Sequence, residues 1–210
     1  MPTILVTGFG PFPGAPFNPT GPLVRRLART RHPAAARLKI VNQVFQTGSD
    51  AVDRDLPALV KRHRPRALLM FGLSGRARTL RIETQARNSL GRNPDVSGKI
   101  PKARAIAPRG LARLAMKTPA ATLLAAARTA QVPALISRDA GNYLCNYLCW
   151  RATEMTQNLN GPRYAVFVHV PELKPQNRTG NPASRRRVID EKALTSAARA
   201  MLLALAALVK

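Results

Sequence analysis

Apolar residues fall into short uninterrupted runs, separated by stretches in which they recur three and four positions apart. Thr3-Ile4-Leu5-Val6-Thr7 is one such run and predicts a buried strand, closed by a Gly/Pro-rich loop over residues 8–22. A helix is expected next, with Leu23, Val24 and Leu27 on one side. Lys39 to Phe45 predicts a second strand. Between Asp50 and His63, the residues Val52, Leu56, Leu59 and Val60 share a helical face. Ala67-Leu68-Leu69-Met70-Phe71-Gly72 predicts a third buried strand. Residues 73–118 are rich in Arg, Pro and Gly, and an irregular region of that length usually carries function. Beyond it, helices are expected over residues 119–130, from Tyr143 to Gln157 and from Val188 to Val209, with strands at Ala134–Ser137 and Tyr164–Val170. Alternating strands and helices predict an α/β protein: a three-layer α/β/α sandwich around a twisted, mixed but mainly parallel sheet.

The 210 residues suit a single domain spanning 1–210 with one core. With 45% hydrophobic residues, wholesale disorder is excluded. No apolar run is long enough for a transmembrane helix. The first eight residues have neither the basic nor the long apolar segment of a signal peptide. Cys145 and Cys149 cannot make a disulfide framework, so a reducing, cytoplasmic setting is expected.

Charge complicates this picture. There are 34 Lys and Arg against 10 Asp and Glu, a net charge of +24. Such a balance suggests nucleic acid or another anionic partner. The basic residues are scattered, however, and Arg185-Arg186-Arg187 is the one tight run. There are no heptads, no zinc spacing and no aromatic-rich basic strand for stacking bases. A solvated basic surface is therefore favoured over a nucleic-acid role. That surface should draw acidic peptides, less so as salt rises.

Few residues can carry chemistry. His32 and His63 lie in polar surroundings and are expected at the surface. His169 ends the apolar run Ala165-Val166-Phe167-Val168-His169-Val170-Pro171, where a polar ring needs a partner. Taken alone, it fits a satisfied core histidine as well as a functional one. Cys145 follows Gly141-Asn142-Tyr143-Leu144, between a strand and a helix. Its sulfur should sit in the first turn of that helix, where unpaired N–H groups and the macrodipole favour a thiolate and can hold an oxyanion. A small buried hydrophobe is the commoner fate of a lone Cys. Cys149, one turn on, reads as core, and the two sulfurs have too few companions for a metal site. Glu83, one of four glutamates, reads alone as a surface salt-bridge residue. Beside a Cys and a His it could orient the imidazole. Gly8-Phe9-Gly10-Pro11-Phe12-Pro13-Gly14 fails as a dinucleotide loop, since Pro13 interrupts it and no helix follows. Its two Phe suit the walls of a small apolar pocket.

Together these segments resemble the pyroglutamyl peptidase I (pyrrolidone-carboxylate peptidase) family of cysteine peptidases. Val6-Thr7-Gly8-Phe9-Gly10-Pro11-Phe12 with Asn18-Pro19-Thr20 is similar to the family's opening segment. Gly72-Leu73-Ser74-Gly75-Arg76 leading to Glu83 and Asn88 resembles the stretch with its catalytic glutamate. Ala140-Gly141-Asn142-Tyr143-Leu144-Cys145-Asn146-Tyr147 resembles the stretch around its nucleophile, and Val168-His169-Val170-Pro171 its histidine strand end. The resemblance covers nearly the whole chain in order. It implies a Cys145, His169, Glu83 triad and removal of N-terminal pyroglutamyl residues from small peptides, without metal or cofactor. It implies Phe9, Phe12, Tyr143 and Leu144 around the lactam, with Asn18, Arg92 and Asn93 nearby, and backbone N–H at Cys145 aided by Arg92 as oxyanion donors. Homodimers or homotetramers are implied as well. Asn93 stands where the family usually has an apolar residue, and the Asn88–Asp95 loop looks one residue short. These departures raise an alternative, a relative with altered N-terminal residue preference. The charge raises another, a basic nucleic-acid-binding protein on a peptidase-like scaffold.

Overall fold

The computed structural model describes residues 1–12, 14–173 and 189–210. The Arg185-Arg186-Arg187 run and the expected helix start at Val188 lie outside the described residues, as does Pro13. Among the described residues, six strands form one sheet in the order β2-β1-β3-β8-β4-β7. These are β1 (Thr3–Phe9), β2 (Lys39–Phe45), β3 (Ala67–Ser74), β4 (Leu80–Glu83), β7 (Ala134–Ser137) and β8 (Tyr164–Pro171). The first three and β8 run parallel to one another; β4 is antiparallel to β8 and parallel to β7. A separate antiparallel pair joins β5 (Gln85–Arg87) to β6 (Arg113–Ala115).

Side-chain alternation along the strands sorts residues into two layers. Ile4, Val6, Leu69, Phe71, Leu80, Ile82, Val166, Val168 and Val170 enter one core. There they meet α1 (Thr20–Ala28), α3 (Ala120–Thr129) and α5 (Glu191–Leu208). Leu5, Phe9, Leu68, Met70, Ala165 and Phe167 enter the other, against α2 (Ser49–His63) and α4 (Leu144–Met155). Each fully buried Val or Leu in these layers contributes about 1.5–3 kcal/mol relative to exposure. The sandwich expected from the sequence is the one observed. Among the described residues, no helix is long and apolar enough to cross a membrane.

The main departure is in the segment expected to be irregular. Residues 73–118 contain β4, β5 and β6, and β4 is a full member of the central sheet. Its four residues, Leu80-Arg81-Ile82-Glu83, alternate too briefly to stand out among arginines, yet Leu80 and Ile82 are 1% and 0% exposed. Tertiary pairing with β8 makes the strand, not local preference. β1 runs on to Phe9 and α1 begins at Thr20, so the first loop is shorter than expected. β7 is an edge strand with Leu135 and Ile136 about half exposed. His32 is exposed as expected, whereas His63 is only half-buried at the end of α2; burial, then Lys39 and Arg62, lower its pKa.

Candidate active site

The same alternation that fills the cores places the polar residues. On β8, the series Ala165, Phe167, His169 points to the α4 side. On β4, Leu80 and Ile82 point away from it, so Arg81 and Glu83 share the face of His169. The antiparallel register sets Arg81 opposite His169 and Glu83 opposite Phe167. Glu83 and His169 thus meet from strands running in opposite directions. The ring Nδ1 lies 2.8 Å from Glu83 Oε1. The second carboxylate oxygen accepts the Asp139 N–H at 3.2 Å, and Arg81 Nε lies 3.5 Å from Oε1. Glu83 is 0% exposed, which corrects the surface salt-bridge expectation: a carboxylate can sit there because each oxygen has a partner.

Cys145 enters from the helix layer. Gly141, at φ +81°, turns the chain after β7, and α4 begins at Leu144 with Tyr143 as its extended N-cap. Cys145 is therefore in the first turn, as the sequence predicts. Tyr147 N–H is bonded to the Tyr143 carbonyl at 3.0 Å, so Leu144, Cys145 and Asn146 carry the N–H groups that precede the helical ladder. The sulfur lies directly over β3. A Cβ placed on Gly72 would stand 2.7 Å from Cys145 Sγ and 2.5 Å from Phe167 Cζ. Gly72 is also the register partner of His169, so a glycine here lets the thiol and ring approach over bare backbone.

The Cys145 side chain hydrogen-bonds the His169 ring. With Nδ1 held by Glu83, Nε2 is the ring nitrogen left for the sulfur. Burial pushes the ring's pKa down. The charge and hydrogen bond of Cys145, followed by those of Glu83, outweigh burial and lift it to about 9. Cys149, one turn along, is fully buried, and desolvation drives its thiol well above the ordinary value. Two sulfurs on one helix thus sit in opposite environments, as the sequence suggests.

The rim gathers most of the remaining expected residues. Phe12 and Tyr143 face each other with ring centroids 6.4 Å apart. Phe9 does not join them: it is 2% exposed and packs on Phe45 in the core. Asn18 is buried and braces the first loop. Its amide donates to Gly10 O at 3.0 Å and its Oδ1 accepts the Thr20 N–H at 3.1 Å. Arg92 and Asn93 are exposed on a loop anchored at both sides of Cys145's approach. Gly91 N–H donates to Asn142 O at 2.6 Å, and Tyr143 Oη donates to Pro94 O at 2.8 Å. Asn93, Leu90, Tyr143 and Leu144 line a common cleft.

Three residues escape sequence reasoning. Asn146 is 0% exposed and pairs like a strand: its Oδ1 accepts Arg87 N–H at 2.8 Å and its Nδ2 donates to Arg87 O at 2.8 Å and Ser89 O at 3.1 Å. It ties the helix that carries Cys145 to β5 and the rim loop. Asp139 contributes its backbone to Glu83 and its side chain to Arg87 at 3.2 Å. Arg81 would have been found by reading the Leu-Arg-Ile-Glu alternation as a strand.

Comparison with known proteins places the chain as a whole. A family model described as pyroglutamyl peptidase matches residues 2–204. The pyrrolidone-carboxylate peptidase of Streptococcus pyogenes serotype M5 (strain Manfredo) is 32% identical over 174 residues, 82% of this chain and 79% of the relative. A pyrrolidone carboxyl peptidase from Thermus thermophilus superposes with a TM-score of 0.78 at 27% identity, covering 95% of this chain and 98% of that one. The corresponding enzyme of Fervidobacterium islandicum AW-1 shares the fold, with a TM-score of 0.85 at 24% identity and 98% of each chain covered. A match that spans nearly the whole chain, with a cysteine, a histidine and a glutamate drawn to one end of the sheet, means that the chain belongs to the pyroglutamyl peptidase family.

Proposed function

We propose that this chain is a cysteine exopeptidase that hydrolyses the amide bond after an N-terminal pyroglutamyl residue, with Cys145 as nucleophile, His169 as acid and base, and Glu83 as the group that orients the ring. The observation that carries this reading is the order of contacts: a buried carboxylate on Nδ1, and a thiol at a helix N-terminus on the other side of the same ring.

The sulfur, having given its proton to His169, attacks the carbonyl carbon, and the carbonyl oxygen takes the electron pair. The Cys145 N–H and Arg92 stabilise that oxyanion. As the intermediate collapses, the C–N bond breaks and His169 passes its proton to the leaving amine. The thioester left on Cys145 is attacked by water. His169 takes the water proton and returns it to the sulfur, releasing pyroglutamate. Throughout, Glu83 keeps Nδ1 protonated and Nε2 aimed at the reacting atoms. Phe12 and Tyr143 offer apolar walls for the flat lactam.

Release of a fluorogenic amine from a pyroglutamyl amide tests this. Wild type should turn over and Cys145→Ala should not; equal rates overturn the reading. Asn93 on the cleft beside Tyr143 supports a second reading, altered preference for the N-terminal residue. A panel of aminoacyl amides decides between them, since strict pyroglutamyl preference excludes the second.

A further inference from the structure

We propose that Arg81 is a positioning residue that sets the proton affinity of His169 by sharing one carboxylate oxygen of Glu83 with it. This rests on the triad reading above and adds a fourth member to it. His169 Nδ1 stands 2.8 Å from Glu83 Oε1, and Arg81 Nε stands 3.5 Å from the same oxygen. That Nε is buried and has no hydrogen-bond partner among the described residues, so the Glu83 charge is what it faces. The far end of the guanidinium is fixed. Nη2 donates to Ser137 Oγ at 2.7 Å and to the Asp139 carbonyl at 3.2 Å. Ser137 ends β7 and Asp139 supplies the N–H on the other Glu83 oxygen, so one side chain ties the strand, the turn and the acid together.

The consequence is electrostatic. A carboxylate that serves His169 alone would hold the imidazolium very tightly, and a tightly held proton is a poor one to hand to a leaving amine. A guanidinium on the same oxygen withdraws part of that attraction. The other charged or titratable groups facing this ring come from few elements. Helix α4 supplies Cys145 on the ring, with the fully buried Cys149 one turn along; the turn after β7 supplies Asp139, itself paired to Arg87 of β5 at 3.2 Å. Strand β3 supplies none at its register partner, Gly72. Arg81 is therefore the cation on the acid's own oxygen.

The chain has only three histidines, so the His169 ring can be followed directly by NMR in protein labelled at histidine. In Arg81→Met, the His169 midpoint should rise by about one pH unit. The kcat on a pyroglutamyl amide should fall about tenfold, the size of one charge-assisted hydrogen bond, with KM changed less than twofold. Arg81→Lys keeps the charge and should restore the midpoint. If the Arg81→Met variant melts too early to titrate, Ser137→Ala reads the same coupling by releasing Nη2, with a smaller rise expected. A His169 midpoint that stays put or falls in these variants overturns the proposal, as does a shift in Arg81→Lys equal to that in Arg81→Met. The titration needs no substrate. A wild type without pyroglutamyl activity but with the expected midpoint shift would defeat the proposed reaction and leave the coupling standing.

Discussion

Along β8, Val166, Val168 and Val170 enter the layer beneath α1, α3 and α5, while Ala165, Phe167 and His169 enter the layer beneath α2 and α4. The first series stays apolar to the end of the strand. The second changes character at its last member, where α4 begins and its helix dipole points inward. Adjacent residues on one strand therefore meet different surroundings: Val168 packs wholly among apolar side chains, and His169 meets a carboxylate and a thiol. The comparison teaches that both faces are packed with apolar side chains, and that the polar groups Glu83, His169 and Cys145 are confined to one end of one of them.

The strongest way to break the separation is at the acid. Glu83→Gln should lower kcat about 10³–10⁴-fold, because the amide no longer fixes the ring's tautomer. A thermal melt near that of wild type would show that the loss is catalytic, and activity within tenfold of wild type would count against the triad. Gly72→Ala strikes where the two faces meet. Its methyl overlaps the Cys145 sulfur and the Phe167 ring, so kcat should fall about 100-fold through misplacement of the nucleophile, with a lower melting temperature. Retained activity would mean the sulfur does not rest over β3. Val168→Ala probes the opposite face. It should cost about 2 kcal/mol in urea unfolding while kcat of the folded enzyme stays within twofold. A larger loss of kcat would show that the faces are coupled.

The mildest probe is pH. His169 is raised from 6.5 to about 9, because Cys145 and then Glu83 more than offset the lowering by burial. The folded ring thus holds its proton where an unfolded one has lost it. Its contribution to stability is complete below pH 6.5 and disappears as the pH rises through about 9. The kcat/KM profile should show an alkaline limb in that same region, tenfold per pH unit beyond it. A limb near 7 would mean that the imidazolium is not held by its neighbours.

Much of the fold was legible because buried strands such as Ala67–Ser74 and Tyr164–Pro171 announce themselves as apolar runs. Helix α4 was legible because Gly141 marks its approach. Strand β4 was not. Half of its four side chains are charged, and they are polar because they face the site instead of a core. Read from the residues alone, the site was legible in its parts, and its assembly was implied only by the family resemblance. Cys145, His169 and Glu83 could each be singled out, yet only the reversal of β4 against β8 brings the acid beside the ring. Phe9 illustrates the opposite limit: a loop aromatic looked suited to a pocket wall and proves to extend β1 into the core.

The position of β8 has a consequence for how the molecule matures. It is the last of the described strands along the chain, yet it lies in the interior of the sheet, between β3 and β4, and brings His169 with it. Glu83 and His169 are 86 residues apart, so their pairing is among the costly, distant contacts that form slowly. A chain emerging from the ribosome carries its thiol and its acid before it has a base to join them. The order of the strands acts as a timer: the meeting of thiol, ring and carboxylate has to wait until β8 inserts between β3 and β4.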